Sequence, residues 1–313
     1  MKKEYYIKTG KLGIVFLLLF SFSSFGCSRY SNISYSNLKV LQEKTFKTAP
    51  GKNFTLKAAS GDVYISTNDS PSIYVKILGN EEAKKNITFN FENTNEGVSV
   101  EAKSNHGWNL FNLFNGIRLK FEITLPKNYN ASVSSSGGDI YLSSLNGEIV
   151  LKTSGGDVTV KNSTGKFKVS TSGGDVDLYN AKGDQNLSTS GGDIHSEGFE
   201  GNLDASTSGG DIYLKGSNGK IDAGTSGGEV KLIYSGKNFG INLRSSGGDV
   251  TAKLPADFNA HADLHTSGGS IDCGFKTMNV EKVSSSKLEG DLNSGGNTLY
   301  IRTSGGDITV RKN

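Results

Sequence analysis

Ser154-Gly155-Gly156-Asp157-Val158-Thr159-Val160-Lys161-Asn162-Ser163-Thr164-Gly165-Lys166-Phe167-Lys168-Val169-Ser170-Thr171 carries the fold in one period of 18 residues. The next residues, Ser172-Gly173-Gly174-Asp175, begin it again. The same four residue types also start at Ser136, Ser190 and Ser208, and Ser226-Gly227-Gly228-Glu229 keeps the spacing. Beyond this the beat loosens to Ser246, Ser267 and Ser304. A constant period over six copies is the signature of stacked structural repeats.

Each period has two halves. Asp157-Val158-Thr159-Val160 and Lys166-Phe167-Lys168-Val169 each follow a glycine turn and alternate apolar with polar residues, the pattern of a half-buried strand. Two turns and two short strands describe one coil of a single-stranded β-solenoid (β-helix) of about 18-residue coils, stacked roughly 4.8 Å apart. Alternation turns Ile140/Leu142, Val158/Val160, Val176/Leu178, Ile212/Leu214 and Val230/Leu232 inward on the first strand. Ile149/Leu151, Phe167/Val169, Leu203/Ala205 and Ile221/Ala223 point inward on the second. The same parity sets Thr153, Thr171, Thr189, Thr207 and Thr225 at the inner edge of the corner, where stacked hydroxyls are expected to form a ladder. Glycine is expected at both corners for its access to positive φ, including Gly147, Gly165, Gly183, Gly201 and Gly219.

Composition agrees. A solenoid buries its core layer by layer, so 313 residues need not split into globular domains, and 41 Gly against 4 Pro suits a turn-rich all-β chain. No helical period of useful length occurs outside the first residues.

Those first residues predict an exported protein. Lys2, Lys3, Lys8 and Lys11 precede the apolar run Leu12–Phe20, and Gly26-Cys27 follows. A basic segment, a short apolar segment and a small residue before the cut make residues 1–26 a lipoprotein signal peptide. The Gly26-Cys27 pair resembles a bacterial lipobox, with Ser24 where Leu is commonest, and predicts Cys27 as the lipid anchor, hence a membrane partner. The other cysteine, Cys273, lies in an inward register and reads as a small buried apolar residue. Residues 27–50 read as a tether, residues 51–130 as an N-terminal β capping region and residues 131–313 as the β-solenoid repeats. A stack's open end requires such a cap. Within it, Ser60-Gly61-Asp62-Val63 looks like a degenerate corner, and Trp108, Leu110, Phe111, Leu113 and Phe114 crowd one loop as a plug.

The chain's net charge of +3 is accounted for by the signal segment, with its four lysines and Glu4, so the remainder is near neutral. No continuous basic track runs along the repeats, which excludes a nucleic-acid groove. Three constellations are candidates for chemistry. The corner acids Asp139, Asp157, Asp175, Asp193, Asp211, Glu229 and Asp249 form a column in which neighbours repel by roughly 0.9 kcal/mol. One carboxylate per coil is sparse for calcium, so they read as turn caps. His261, Asp263 and His265 share one face of a strand and are weak candidate metal ligands; solvated polar residues are the simpler reading. Outward positions Tyr141, Thr159, Asp177, His195, Tyr213, Lys231 and Thr251 show no continuous aromatic track of the kind a polysaccharide-cleaving enzyme would use.

Leu125-Pro126-Lys127-Asn128-Tyr129-Asn130-Ala131 running into Ser136-Gly137-Gly138-Asp139-Ile140-Tyr141-Leu142, and the ending Leu299-Tyr300-Ile301-Arg302-Thr303-Ser304-Gly305-Gly306-Asp307-Ile308, resemble a bacterial cell-envelope family of unknown function labelled "putative adhesin". Leu254-Pro255-Ala256-Asp257-Phe258-Asn259-Ala260 repeats the Leu-Pro element, and the resemblance covers roughly residues 50–313. It implies a β-solenoid exported to the envelope and supplies no catalytic residues. The expectation is therefore a lipid-anchored outer-membrane protein with a non-catalytic, adhesin-like or structural role. Its ligand would be a glycan or protein, and it would use no cofactor. The alternatives are a polysaccharide lyase or hydrolase, or a metal- or stress-responsive envelope scaffold.

Overall fold

The computed structural model of the protein describes residues 38–105 and 116–313. Cys27, the signal segment and the Trp108–Phe114 cluster lie outside the described residues. The described chain is almost entirely β, in a 13-stranded and a 14-stranded sheet. Its one helix, Glu81–Asn86, was not expected from the sequence. Six residues are too few to show a period, and the helix is set locally by Asn80, whose side chain accepts the Ala83 N–H at 3.0 Å.

The period becomes register. In the 13-stranded sheet Ile140 lies opposite Val158, which lies opposite Val176, and the parallel line continues through Ile194, Ile212, Val230 and Val250. In the 14-stranded sheet Ile149, Phe167, Gln185, Leu203, Ile221 and Ile241 form the equivalent line. The chain passes from one sheet to the other at every corner, and the inward side chains of both sheets make one continuous buried core. The parity read from the sequence holds, with Val158, Val160 and Val169 fully buried. One inward pair breaks the apolar rule. Gln185 donates to the Ala181 carbonyl at 2.7 Å and accepts the Ser196 hydroxyl at 3.0 Å, joining the two sheets through a satisfied polar contact.

At both ends, spatial order departs from chain order. The strand Asn53–Ala58 stacks directly on Asn130–Ser135, and Val63 lies opposite Ile140. The preceding strand Lys39–Lys47 and the segment between them form the outer strands, with Lys39–Lys47, Ser72–Gly79 and Leu119–Pro126 paired antiparallel. At the other end, the last strands are inserted into the stack. Thr298–Thr303 lies between Ile241–Ser245 and Ala260–Thr266, and Ile308–Lys312 lies between Val250–Leu254 and Ile271–Cys273. Cys273 therefore sits in an end strand, half-buried, and burial pushes its thiol pKa up.

The corners correct two expectations. Gly147, Gly165, Gly183 and Gly201 do adopt positive φ; Gly219 does not, and is required because a Cβ there would collide with the Gly201 carbonyl oxygen. In the Ser-Gly-Gly-Asp corner, however, only Gly138 does. Gly156, Gly174, Gly192 and Gly210 are required by crowding, because a Cβ on each would stand 2.0–2.2 Å from the carbonyl oxygen of the equivalent glycine one coil earlier. The threonines do not bond one another. Thr153, Thr171, Thr189, Thr207 and Thr225 each donate, at 2.8–3.0 Å, to the carbonyl of the second glycine in the preceding coil. They tie coil to coil through the backbone.

Candidate functional site: an aromatic and cationic ladder

The inward parity that buries Val158 and Val160 turns Thr159 and Lys161 outward, so every strand of the 13-stranded sheet offers two adjacent outer columns. One holds Tyr64, Tyr141, Thr159, Asp177, His195, Tyr213 and Lys231; the other holds Ser143, Lys161, Tyr179, Glu197, Lys215 and Ile233. Neither column is continuously aromatic. Diagonal neighbours on adjacent strands are nevertheless within reach of long side chains, and Tyr179 in the second column sits on the strand where the first column holds Asp177.

The result is a continuous track of rings and cations; as an aromatic row it is broken at the strand of Thr159 and Lys161, as the sequence reading has it. The Lys120 ammonium lies 4.5 Å from the Tyr64 ring centre, and Tyr64 lies 6.3 Å from Tyr141. Lys161 bridges Tyr141 at 5.6 Å and Tyr179 at 5.4 Å. His195 stands between Tyr179 at 5.2 Å and Tyr213 at 4.9 Å, and Lys231 covers Tyr213 at 5.5 Å. These eight side chains come from eight neighbouring strands of the sheet, a span of about 34 Å at the usual strand spacing. Tilted ring pairs and ammonium-over-ring contacts are the favourable arrangements of an aromatic quadrupole. The missed signal was the diagonal: reading one column at a time hides a ladder that steps between two.

Beside the ladder the sheet is bulged between Glu197 and Phe199, where Gly198 adopts φ 74°. The bulge opens a shallow hollow of about 520 Å³ lined by Lys182, Glu197, Phe199, Lys215, Gly216 and Tyr234. Gly216 leaves room for the Phe199 ring, which a Cβ would meet at 2.4 Å. Charges here are internally paired: Lys215 to Glu197 at 2.8 Å and Lys182 to Glu200 at 3.2 Å. Lysine holds the Glu197 carboxyl below its ordinary pKa. His195 Nε2 stands 3.5 Å from Glu197 Oε2, without an aligned hydrogen bond. Asp177, under the same rings, is pushed up chiefly by burial; the nearby Asp175 and Asp157 add to this and His195 opposes it.

The acidic column has a defined job. Asp62 Oδ1 accepts the Asp139 N–H at 2.9 Å, and Asp139, Asp157, Asp175 and Asp193 each accept the N–H of the next corner acid at 2.8–3.0 Å. Asp211 does the same for Glu229, and the ladder resumes with Asp249 accepting from Asp307 at 2.7 Å. Charged acceptors bonding backbone N–H groups offset their mutual repulsion.

His261, Asp263 and His265 do share the outer face of Ala260–Thr266, with Ala262 and Leu264 buried beneath. Their partners lie apart: His261 Nδ1 is 3.0 Å from Asp291 Oδ1, and Arg302 donates to Asp263 Oδ2 at 2.6 Å. The Arg302 guanidinium already neutralises Asp263, which disfavours a second cation there. Among the described residues, no group of three or more His, Cys, Asp or Glu is arranged to hold a metal ion.

A two-sheet stack of register-locked parallel strands, closed by side-chain ladders and bearing one decorated face, defines a repeat scaffold. Its identity is specific: residues 51–311 match the Toastrack DUF4097 family, a domain of unknown function, and the chain belongs to it. Among solved structures, it is similar to a "putative adhesin" from Parabacteroides merdae, at 12% identity over 89% of this chain and 97% of that one, with a TM-score of 0.46. A "putative adhesin" from Bacteroides fragilis matches at 14% identity over 87% and 97%, TM-score 0.43. A "putative lipid binding protein" from Parabacteroides distasonis matches at 11% over 89% and 98%, TM-score 0.27. No curated protein matches the chain.

Proposed function

We propose that this chain is an exported, lipid-anchored envelope protein whose outer sheet face serves as a non-catalytic binding surface. The observation that carries the reading is the ladder from Lys120 to Lys231, a row of half-exposed rings and cations held at fixed register by the stack. Rigid aromatic side chains supply contact area at low entropic cost. The corner acids are committed to backbone N–H groups, and the acid and lysine partners at the bulge are committed to each other, which supports binding over proton transfer.

In this reading residues 1–26 are removed, Cys27 is acylated and residues 27–50 are the tether. Residues 51–130 cap a solenoid of about 18-residue coils that spans 131–313. The outer strands that pair antiparallel support the cap, because they end the parallel stack without leaving a matching edge. The test places the full chain, purified in mild detergent, on an array of polysaccharides and matrix proteins, followed by analysis for new reducing ends or unsaturated products. Retention of a ligand without turnover is expected. Turnover that disappears in Asp177→Asn would replace the reading with a polysaccharide-cleaving enzyme. For the anchor, a fatty-acid analogue should label the parent protein in cells and leave Cys27→Ala unlabelled.

A further inference from the structure

Resting on that binding reading, the geometry points to an uncharged, extended polysaccharide as the ligand, lying along the Tyr64–Tyr141–Tyr179–His195–Tyr213 ladder with its sugar rings stacked on the aromatic faces. Periodicity favours a polymer. Aromatic side chains recur on neighbouring strands at centroid separations of 4.9–6.3 Å, bridged by Lys161 where Tyr141 gives way to Tyr179. A linear polymer of six-membered sugar rings also repeats at roughly one strand spacing per ring, so many weak contacts are made in the same register. The C–H groups on one face of a sugar ring carry partial positive charge and match the negative face of a tyrosine ring.

Charge separates neutral from acidic polymers. Lys120 and Lys215 are each 2.8 Å from a carboxylate, Glu122 and Glu197 respectively. Lys161 and Lys231 have no carboxylate within ion-pair distance among the described residues, and both lie over tyrosine rings. Two residues before the ladder positions of the first column runs the corner column: Asp139 before Tyr141, Asp193 before His195, Asp211 before Tyr213. A polyanion on the ladder would lie along a row of carboxylates about 4.8 Å apart, at a cost that two lysines do not offset. A neutral sugar meets no such penalty. Its hydroxyls donate to the corner carboxylates and accept from Lys161 and Lys231. A single-stranded nucleic acid, which also stacks on aromatic residues, is disfavoured by the same row of acids.

The test is affinity electrophoresis of the full chain in mild detergent, in gels containing dextran, laminarin or alginate, at low and high salt. Retardation by a neutral polymer, unchanged by salt, is expected. The Tyr179→Ala/Tyr213→Ala variant should bind at least about tenfold more weakly, as the loss of two aromatic anchors implies. Tyr179→Phe/Tyr213→Phe keeps the rings and should retain binding, which separates stacking from an effect on folding. Asn186→Ala/Asp204→Ala, on the outer face of the other sheet, should bind as the parent does. Binding to alginate alone, fading with salt, would overturn the inference; so would no retardation by any polymer, or equal loss in the opposite-face variant. Capture of a matrix protein with no polysaccharide bound would sink this inference and leave the proposed function standing. Cleavage of a bound neutral polymer would do the reverse.

Discussion

At the scale of the residue, the two glycines of each Ser-Gly-Gly-Asp corner look alike in sequence and differ in physics. A Cβ at Gly155 would meet nothing within 4 Å, whereas one at Gly192 would stand 2.0 Å from the Gly174 carbonyl oxygen. Gly192→Ala should therefore cost about 3 kcal/mol or more, since backbone must move. Gly155→Ala should change stability by less than about 1 kcal/mol. Paired thermal melts check both, and equal losses would refute the crowding argument. Asp177 offers a second contrast. Burial raises its pKa from the ordinary 3.8, so the folded state holds that proton more tightly than the unfolded chain does. The stability this contributes is complete below the ordinary carboxylate range and is lost as pH rises through the raised value. Asp177→Asn should thus melt slightly above the parent at neutral pH, by about half a kcal/mol or less given its partial exposure. The gap should close below the carboxylate range; a gap that widens on acidification would contradict the burial argument.

At the scale of the element, strands were legible because each needs only local alternation and a turn. Val158, Phe167 and Val176 declared their faces, and so did the registers that join them. Three things were not legible. Gln185 and Ser196 interrupt the apolar lines of two different strands, and only the packed core shows that each satisfies the other. The helix Glu81–Asn86 rests on one cap at Asn80. The third is the left-handed corner after the first strand. There Ser144, Asn162 and Asn180 adopt positive φ, and Asn180 donates to the Asn162 side chain at 3.1 Å. Asparagine is the residue that tolerates that conformation besides glycine, a signal available in the sequence but diluted among many asparagines. The buried polar pair yields a prediction. Ser196→Ala leaves the Gln185 side-chain Oε1 without its donor and should cost about 1–3 kcal/mol. Adding Gln185→Leu removes that unsatisfied group but also the donor to the Ala181 carbonyl, and should recover only part of the loss. Chemical denaturation of the single and double variants measures the difference, and strictly additive losses would show that the two residues act independently.

At the scale of the whole molecule, stability comes from repetition, with each coil bound to its neighbours by backbone pairing, the threonine-to-glycine bonds and the aspartate-to-amide bonds. The sequence revealed the repeat but not the order of the last coils, because irregular spacing after Ser246 does not say which strand lies beside which. It also hid the ladder, since adjacency across coils is a property of the stack. The acidic column is where the whole-molecule argument is most exposed to test. A column of like charges invites a bound cation, which would neutralise neighbours that otherwise repel by roughly 0.9 kcal/mol each. In this structure one oxygen of each aspartate from Asp139 to Asp211 accepts a main-chain N–H from the next coil, so each corner has a fixed donor already in place. Calcium wants six to eight oxygens, more than one partly committed carboxylate per coil supplies. A chelator such as EDTA should therefore leave the melting temperature unchanged, and added calcium should raise it no more than an equal ionic strength of sodium. A cation held at the column would contribute stability that grows with its concentration, so a chelator-induced drop of several degrees would identify a calcium stack and overturn the turn-cap assignment.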